Sequence, residues 1–141
     1  MDRQAIEDVI KKYALSIDTR DWEMHKSLFT DPYISLKTGK EATVENRIKF
    51  FDKFTEKYLY TQHIASIYSV ELEDNEAYVI STINANHIGR TMKDEKKIKD
   101  LHMIGQYRYW LRKIEGSWKI YKMGLVRNRK MRLKNKRTKN E

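Results

Sequence analysis

Three side chains that can transfer protons or stabilise charge lie at two points of the sequence. Tyr13 and Asp18 are close together near the amino terminus, and His63 follows much later in the segment Thr-Gln-His-Ile. An imidazole titrates near neutral pH, and a carboxylate beside it can fix its tautomer and stabilise its cation. A phenol can donate a hydrogen bond to a developing oxyanion. One pocket could collect the three, and these residue types suit general acid–base chemistry.

Each of these residues also has an ordinary structural interpretation. Asp18 could cap the following helix, Tyr13 could be a core aromatic whose hydroxyl reaches the surface, and His63 could be a hydrogen-bonded strand residue. For any one of them alone, that interpretation is at least as good as the functional one. The three together, at this spacing, favour a functional site.

Tyr13 and Asp18 close an amphipathic helix. Its apolar residues recur at three- and four-residue intervals: Ile6, Val9, Ile10, Tyr13, Ala14 and Ile17. Two further helices and a short strand are predicted before residue 59: helices over 21–29 and about 43–58, and a strand over 33–37. His25, in the second helix, is expected to face solvent.

From residue 59 onward the apolar pattern changes from helical to alternating. Four strands are predicted: 60–72, 77–88, 101–114 and 117–126. The short polar connections predict two hairpins, and the charged segment 89–100 predicts a surface loop or lid. Helices followed by a meander of strands indicate an α+β domain. We expect three helices to pack on the concave face of a curved, mainly antiparallel sheet, which makes a cone-shaped barrel with a pocket inside.

Length and composition fit one folded domain. The chain has 141 residues, 40 % of them apolar, and no cysteine. A disulfide framework, a cysteine nucleophile and a thiolate metal site are therefore excluded. No apolar run approaches the roughly 20 residues of a membrane span, and the first residues do not resemble a signal peptide. The expectation is a cytoplasmic protein that does not associate with membranes.

The net charge of +9 is concentrated at the carboxyl end. Residues 127–141 carry eight basic and one acidic side chain, a net charge of +7, while the remaining 21 basic and 19 acidic side chains give +2. The basic segment has almost no apolar residues to bury. We therefore expect a domain over residues 1–129 and a mobile tail over 130–141. The composition favours a solvated tail over an arm that binds nucleic-acid phosphates.

Three stretches of sequence support a family resemblance. They are Tyr-x4-Asp-x2-Asp-Trp from Tyr13, Thr-x-His from Thr61 and Trp-Lys-Ile from Trp118. With them the chain resembles the SnoaL-like branch of the nuclear-transport-factor-2-like superfamily. Within that branch it looks most like the bile acid 7α-dehydratases and, more distantly, scytalone dehydratase. The resemblance implies roles for four residues: Tyr13, Asp18 and His63 in catalysis and Arg127 in substrate binding.

The resemblance implies a cofactor-independent lyase, a dehydratase or isomerase. Its substrate would be a small apolar hydroxy-carbonyl compound, steroid- or polyketide-like, bound in the cone. His63 would be the base, Asp18 its partner and Tyr13 the donor to the enolate oxygen. One acidic residue of the bile acid dehydratases is absent, because residues 84–87 read Asn-Ala-Asn-His here.

Further residues on the predicted strands are candidates for the pocket lining: Asn86, His87 and Tyr107. His87 and His102 come at the ends of neighbouring strands and could lie opposite each other, one of them near the pocket. Strand parity alone does not tell which face each residue occupies. Two histidines without a cysteine or a carboxylate partner do not predict a metal site.

Noncatalytic functions remain open as well. A cone with an aromatic lining could carry an apolar ligand unchanged or bind a protein. Contact between Asp18 and His63 inside the cone would favour an enzyme over a protein that only carries a ligand. The predicted strand 101–114 has large residues on both faces, so the outer face of the sheet is expected to be covered in a homo-oligomer, a dimer or trimer.

Overall fold

The structure, a computed structural model, describes residues 1–133. At positions 127, 128, 132 and 133 it describes the backbone alone. This part of the chain forms three helices and six strands: α1 (Asp2–Asp18), α2 (Trp22–Ser27), β1 (Phe29–Ser35), β2 (Glu41–Ala42), α3 (Val44–Thr55), β3 (Tyr58–Glu73), β4 (Glu76–Gly89), β5 (Asp100–Ile114) and β6 (Ser117–Leu133). Within residues 1–133, the helices are too short or too polar to cross a membrane.

The strands form one sheet in the order β2-β1-β6-β5-β4-β3. Neighbours from β3 to β6 are antiparallel, whereas β1 runs parallel to β6. The sheet is therefore mixed, and because β2 and β3 are its two edges it is not closed into a barrel. The helices pack on one face of this curved sheet, which confirms the predicted α+β architecture.

Local sequence explains where the elements begin and turn. Asp21 caps α2 by accepting a hydrogen bond from the backbone N–H of Met24, and Thr43 caps α3 in the same way. The turn between β5 and β6 consists of Glu115 and Gly116, both at positive φ. Such a turn matches the right-handed twist of the strands on either side and fixes their register.

Several boundaries differ from the sequence-based ones. α3 ends at Thr55, and β3 starts only three residues later at Tyr58. β1 pairs with the first half of β6 and is longer than expected. β6 continues to Leu133, where it pairs with Asp100 at the start of β5. The strand thus extends past position 129, and the rest of the predicted tail, from residue 134, lies outside the described residues.

His25 corrects one expectation, because its side chain is buried rather than exposed to solvent. The short helix α2 lies between α1 and α3, and the ring of His25 packs against those of Tyr13, Phe29 and Phe51. The sequence held a signal for this, because His25 lies three residues after Trp22 and four before Phe29, on the same helical face. The neighbouring helices bury it.

Candidate active site

Asp18 and His63 form a hydrogen-bonded dyad, called the dyad below. Asp18 is the last residue of α1, and His63 lies in β3, against which α1 packs. The Oδ1 atom of Asp18 is 2.6 Å from Nδ1 of His63. The Oδ2 atom accepts the backbone N–H of His63 at 2.7 Å, and Thr61 Oγ1 donates to Oδ1 at 3.1 Å. The carboxylate is held by three contacts from one strand.

The spacing Thr-x-His explains why two side chains of β3 contact the Asp18 carboxylate. Residues two apart on a strand point to the same face, so Thr61 and His63 both reach the carboxylate. Arg20 adds a further tie between the same elements, because its guanidinium donates to the carbonyl oxygens of Thr55 and Tyr58 at 2.9 and 2.8 Å. The end of α1 is therefore fixed against the end of α3 and the beginning of β3.

The dyad points into the fold. The side chain of His63 is 5 % exposed and that of Asp18 is 20 % exposed. With an ionised carboxylate, Nδ1 of His63 carries the proton and donates it, which leaves the lone pair on Nε2. Nε2 is the nitrogen that can take a proton from a bound molecule.

His87 adjoins the dyad from β4. Its ring centroid is 5.6 Å from that of His63, and its Nδ1 is 3.1 Å from the carbonyl oxygen of Leu101. A carbonyl only accepts, so Nδ1 carries the proton and Nε2 is an acceptor. Burial lowers the pKa of His87 to about 4, against the opposing effect of the Leu101 hydrogen bond. The imidazole is therefore neutral at physiological pH, with Phe54 and Tyr58 packed against it.

Tyr13 lies in a different part of the interior. Its ring packs edge-on against Tyr107 and Tyr109. His63 is in register with Ala85, and Ala85 with Met103, four residues before Tyr107 on β5. At a rise of about 3.3 Å per residue, that is about 13 Å along the strand. The structure brings Tyr13 and Tyr107 together, but it does not bring either of them to the dyad.

The hydroxyl of Tyr13 instead belongs to a group around Arg47, which we call the arginine cluster. The guanidinium donates from Nη2 to Tyr13 Oη, from Nη1 to Tyr33 Oη at 3.4 Å and from Nε to His25 Nε2 at 3.1 Å. It also lies over four aromatic rings: Tyr13, Phe29, Tyr33 and Phe51. Burial raises the pKa of Tyr13 well above its usual value, so its phenol stays neutral.

His25 is held in one tautomer by this cluster. Because Nε2 accepts from Arg47, Nδ1 carries the proton and donates to Ser16 Oγ at 2.9 Å. Burial and the adjacent guanidinium lower the pKa of His25 to about 3. Sequence reasoning missed this cluster, although a signal existed: Arg47 falls on the apolar stripe of α3, between Val44 and Ile48.

Two further candidates, Asn86 and His102, are not gathered at the dyad. Asn86 alternates with Ala85 and His87 and so points to the outer face of the sheet, as does its cross-strand partner His102. His102 hydrogen-bonds Asn84 there at 2.7 Å. Of the two histidines, His87 is the one that faces the interior. Position 127 lies in β6, and the side chain of Arg127 lies outside the described part of the structure.

Solved structures share this architecture. A provisionally assigned scytalone dehydratase from Novosphingobium aromaticivorans is 23 % identical, with a TM-score of 0.78 over 96 % of this chain and 89 % of that chain. A protein from Kribbella flavida is 14 % identical, with a TM-score of 0.76 over 91 % and 93 %. A hexachlorocyclohexane dehydrochlorinase (LinA) is also 14 % identical, with a TM-score of 0.73 over 96 % and 94 %. At these identities the likeness shows a common fold.

Sequence comparison gives the family itself. A search of curated proteins gave no match. The sequence model of the SnoaL-like domain family matches residues 1–124. This range includes all three helices, the dyad and most of the sheet. The chain therefore belongs to the SnoaL-like domain family.

Proposed function

We propose that this protein is a cofactor-independent lyase that removes water from a small apolar hydroxy-carbonyl compound. The observation that supports the proposal is the dyad, in which an inward-facing imidazole is hydrogen-bonded to a carboxylate at 2.6 Å. The carboxylate is in turn fixed by Thr61 and by a backbone N–H. A base held this firmly needs little reorganisation when it takes up a proton.

In the proposed reaction, Nε2 of His63 takes a proton from the carbon next to the substrate carbonyl. The C–H electron pair forms the new C=C bond as the neighbouring C–O bond breaks. The departing hydroxide takes a proton from the imidazolium and leaves as water, so His63 returns to its resting form. Asp18 stabilises the imidazolium in between, as in other carboxylate–histidine pairs.

His87 has a complementary role in this proposal. Its neutral ring presents Nε2 as an acceptor, so it can orient the substrate hydroxyl by accepting that group's hydrogen. Phe54 and Tyr58 beside it offer an apolar wall to the substrate. Tyr13 is given no role in this reaction, because its ring packs against Tyr107 and Tyr109, away from the dyad.

Proteins of the same fold support an elimination reaction but do not identify its substrate. Two proteins of the same fold are named as a dehydratase and a dehydrochlorinase, names that denote loss of water and of hydrogen chloride. The alternative is a carrier of the same fold that leaves its ligand unchanged. A second alternative is a noncatalytic protein-interaction module, which the buried rings of Tyr13, Tyr107 and Tyr109 favour because they fill part of the interior.

A panel of hydroxylated ketones, followed by the ultraviolet absorbance of the enone product, separates the two functions. Wild-type protein should form product, and His63→Ala should keep ligand binding but lose turnover by about 10²- to 10⁴-fold. Lys49→Ala, at an exposed position of α3 where the side chain pairs only with Glu45, serves as the control and should be unaffected. Equal losses of binding and turnover in His63→Ala, or a wild type that binds panel compounds without converting them, would favour the carrier.

We also propose that the active form is a homo-oligomer assembled through the outer face of the sheet. Tyr60, Ile64 and Ile104 are 56, 50 and 46 % exposed on that face. Ile64 and Ile104 flank Asn84 on neighbouring strands, so their side chains form one patch. Light scattering should give the mass of a dimer or trimer for wild type and of a monomer for Ile104→Asp. A monomeric wild type at micromolar concentration would contradict this proposal.

A further inference from the structure

A cleft of about 380 Å³ opens between the first half of α3 and the β1–β2 pair. Its walls include three aromatic residues, Tyr33, Phe50 and Phe51, and Arg47 contributes to its lining. Lys37 is a second cation there. Of the nine described residues that line the cleft, two are cationic and none is acidic. The cleft contains neither residue of the dyad, so it is a separate concave site.

Arg47 carries a charge that its neighbours do not balance. Among the described side chains it forms no ion pair, and its three hydrogen-bond partners are two tyrosine hydroxyls and a histidine that stays neutral. Aromatic rings surround the guanidinium and displace water from it. A partly buried cation in such surroundings interacts more strongly with an anion than an exposed one does.

The guanidinium also has donors to spare. It has five N–H groups, and the hydrogen bonds to Tyr13, Tyr33 and His25 use three of them. One N–H therefore remains on each of Nη1 and Nη2. Free donors on both terminal nitrogens suit a carboxylate, which offers two acceptor oxygens.

We propose that this cleft binds a small apolar carboxylate, with Arg47 donating to the carboxylate oxygens. Lys37, which is exposed, adds a positive charge at the cleft. Phe50, 64 % exposed, and Phe51 contact the apolar body of the ligand. The volume fits a ligand with one ring, at the lower end of the usual range for small-molecule sites. The proposal does not depend on the lyase function, because no dyad residue takes part.

Calorimetric titration of the full chain with benzoate and with benzamide, its neutral counterpart of the same shape, tests the site. Charge-assisted hydrogen bonds to the guanidinium predict that benzoate binds about 10- to 100-fold more tightly than benzamide. Equal affinities for the two compounds, or no binding of benzoate, would overturn the proposal.

Variants then locate the bound benzoate. Arg47→Lys, which keeps the charge but loses the paired donors, should weaken binding about 10-fold, and Lys37→Met about threefold. Lys37 is exposed, so its variant tests the cleft even if the substitution at Arg47 disturbs folding. Lys49→Met is the matched control, since Lys49 is an exposed cation on the same helix that pairs with Glu45. His63→Ala should also bind as wild type does. A loss confined to His63→Ala would place the ligand at the dyad and refute the cleft.

Discussion

The dyad and the arginine cluster each contain a histidine that is nearly or fully buried. The two rings differ in the charge of the group to which they are hydrogen-bonded. At the dyad, Nδ1 of His63 faces a carboxylate, so protonation of the ring creates a cation next to an anion. In the cluster, Nε2 of His25 faces the Arg47 guanidinium, so protonation would bring two cations together. Burial alone does not mark a histidine as functional. Burial, with a cationic partner added to it, keeps the ring of His25 neutral, whereas the partner of His63 is a carboxylate.

The largest effect that tests this contrast is expected from Asp18→Asn. An amide can hold His63 in the wrong tautomer and cannot stabilise its cation, so turnover should fall by about 10²- to 10⁴-fold. The measurement is kcat on the best compound of the hydroxy-ketone panel. Asp21→Asn is a matched control, because Asp21 caps α2 and does not touch His63. Similar losses in both variants would mean that the carboxylate at position 18 acts through the fold.

The second-largest effect is a loss of stability, expected from a substitution in the arginine cluster. Arg47→Ala removes a side chain that contacts four rings and leaves Tyr13, Tyr33 and His25 without their donor. The free energy of unfolding should fall by about 2–4 kcal/mol. Urea denaturation followed by circular dichroism measures it, with Lys49→Ala expected within about 0.5 kcal/mol of wild type. An unchanged midpoint in Arg47→Ala would show that the cluster contributes little to the fold.

The third effect is a pH dependence of stability. Folding lowers the pKa of His25 from 6.5 to about 3 and that of His87 from 6.5 to about 4. Between those values the unfolded chain binds more protons, so this stability is complete above about pH 6.5 and is lost as the pH falls. Each histidine contributes up to about 1.4 kcal/mol per pH unit.

Denaturation at about pH 7, 6 and 5 measures this slope. His25→Gln keeps an acceptor for Arg47 but cannot titrate, so its slope should be smaller than that of wild type. His102→Gln, on the outer face, should retain the full slope. If His25→Gln left the slope intact, the acid sensitivity would have to come from groups outside the arginine cluster.

The smallest effect is expected from Tyr13→Phe. It removes one hydroxyl that accepts from Arg47, so the free energy of unfolding should fall by about 1 kcal/mol. Turnover should stay within about threefold of wild type if the dyad and the arginine cluster are separate units. A loss of turnover as large as that of His63→Ala would show that the phenol takes part in the reaction and that both regions form one site.

The sequence was sufficient for the architecture because apolar periodicity changes from helical to alternating near residue 59, where α3 gives way to β3. The contact between Asp18 and His63 was also foreseen. The faces of Asn86 and His87 were not, because alternation along β4 shows only that the two side chains point to opposite faces, and the packing of the helices decides which face is inside. The arginine cluster was missed because Arg47 reads as a charged interruption of α3, although its place on the apolar stripe, between Val44 and Ile48, was a sign that it faces the interior.

The hydrogen bonds between the end of α1 and β3 also affect how β3 reaches its native alignment in the sheet. Asp18 binds Thr61 and His63, and Arg20 binds the carbonyl oxygens of Thr55 and Tyr58. A one-residue slip of β3 would turn Thr61 and His63 to the other face and remove all contacts of the carboxylate at once. The same residues thus select the correct strand alignment during folding.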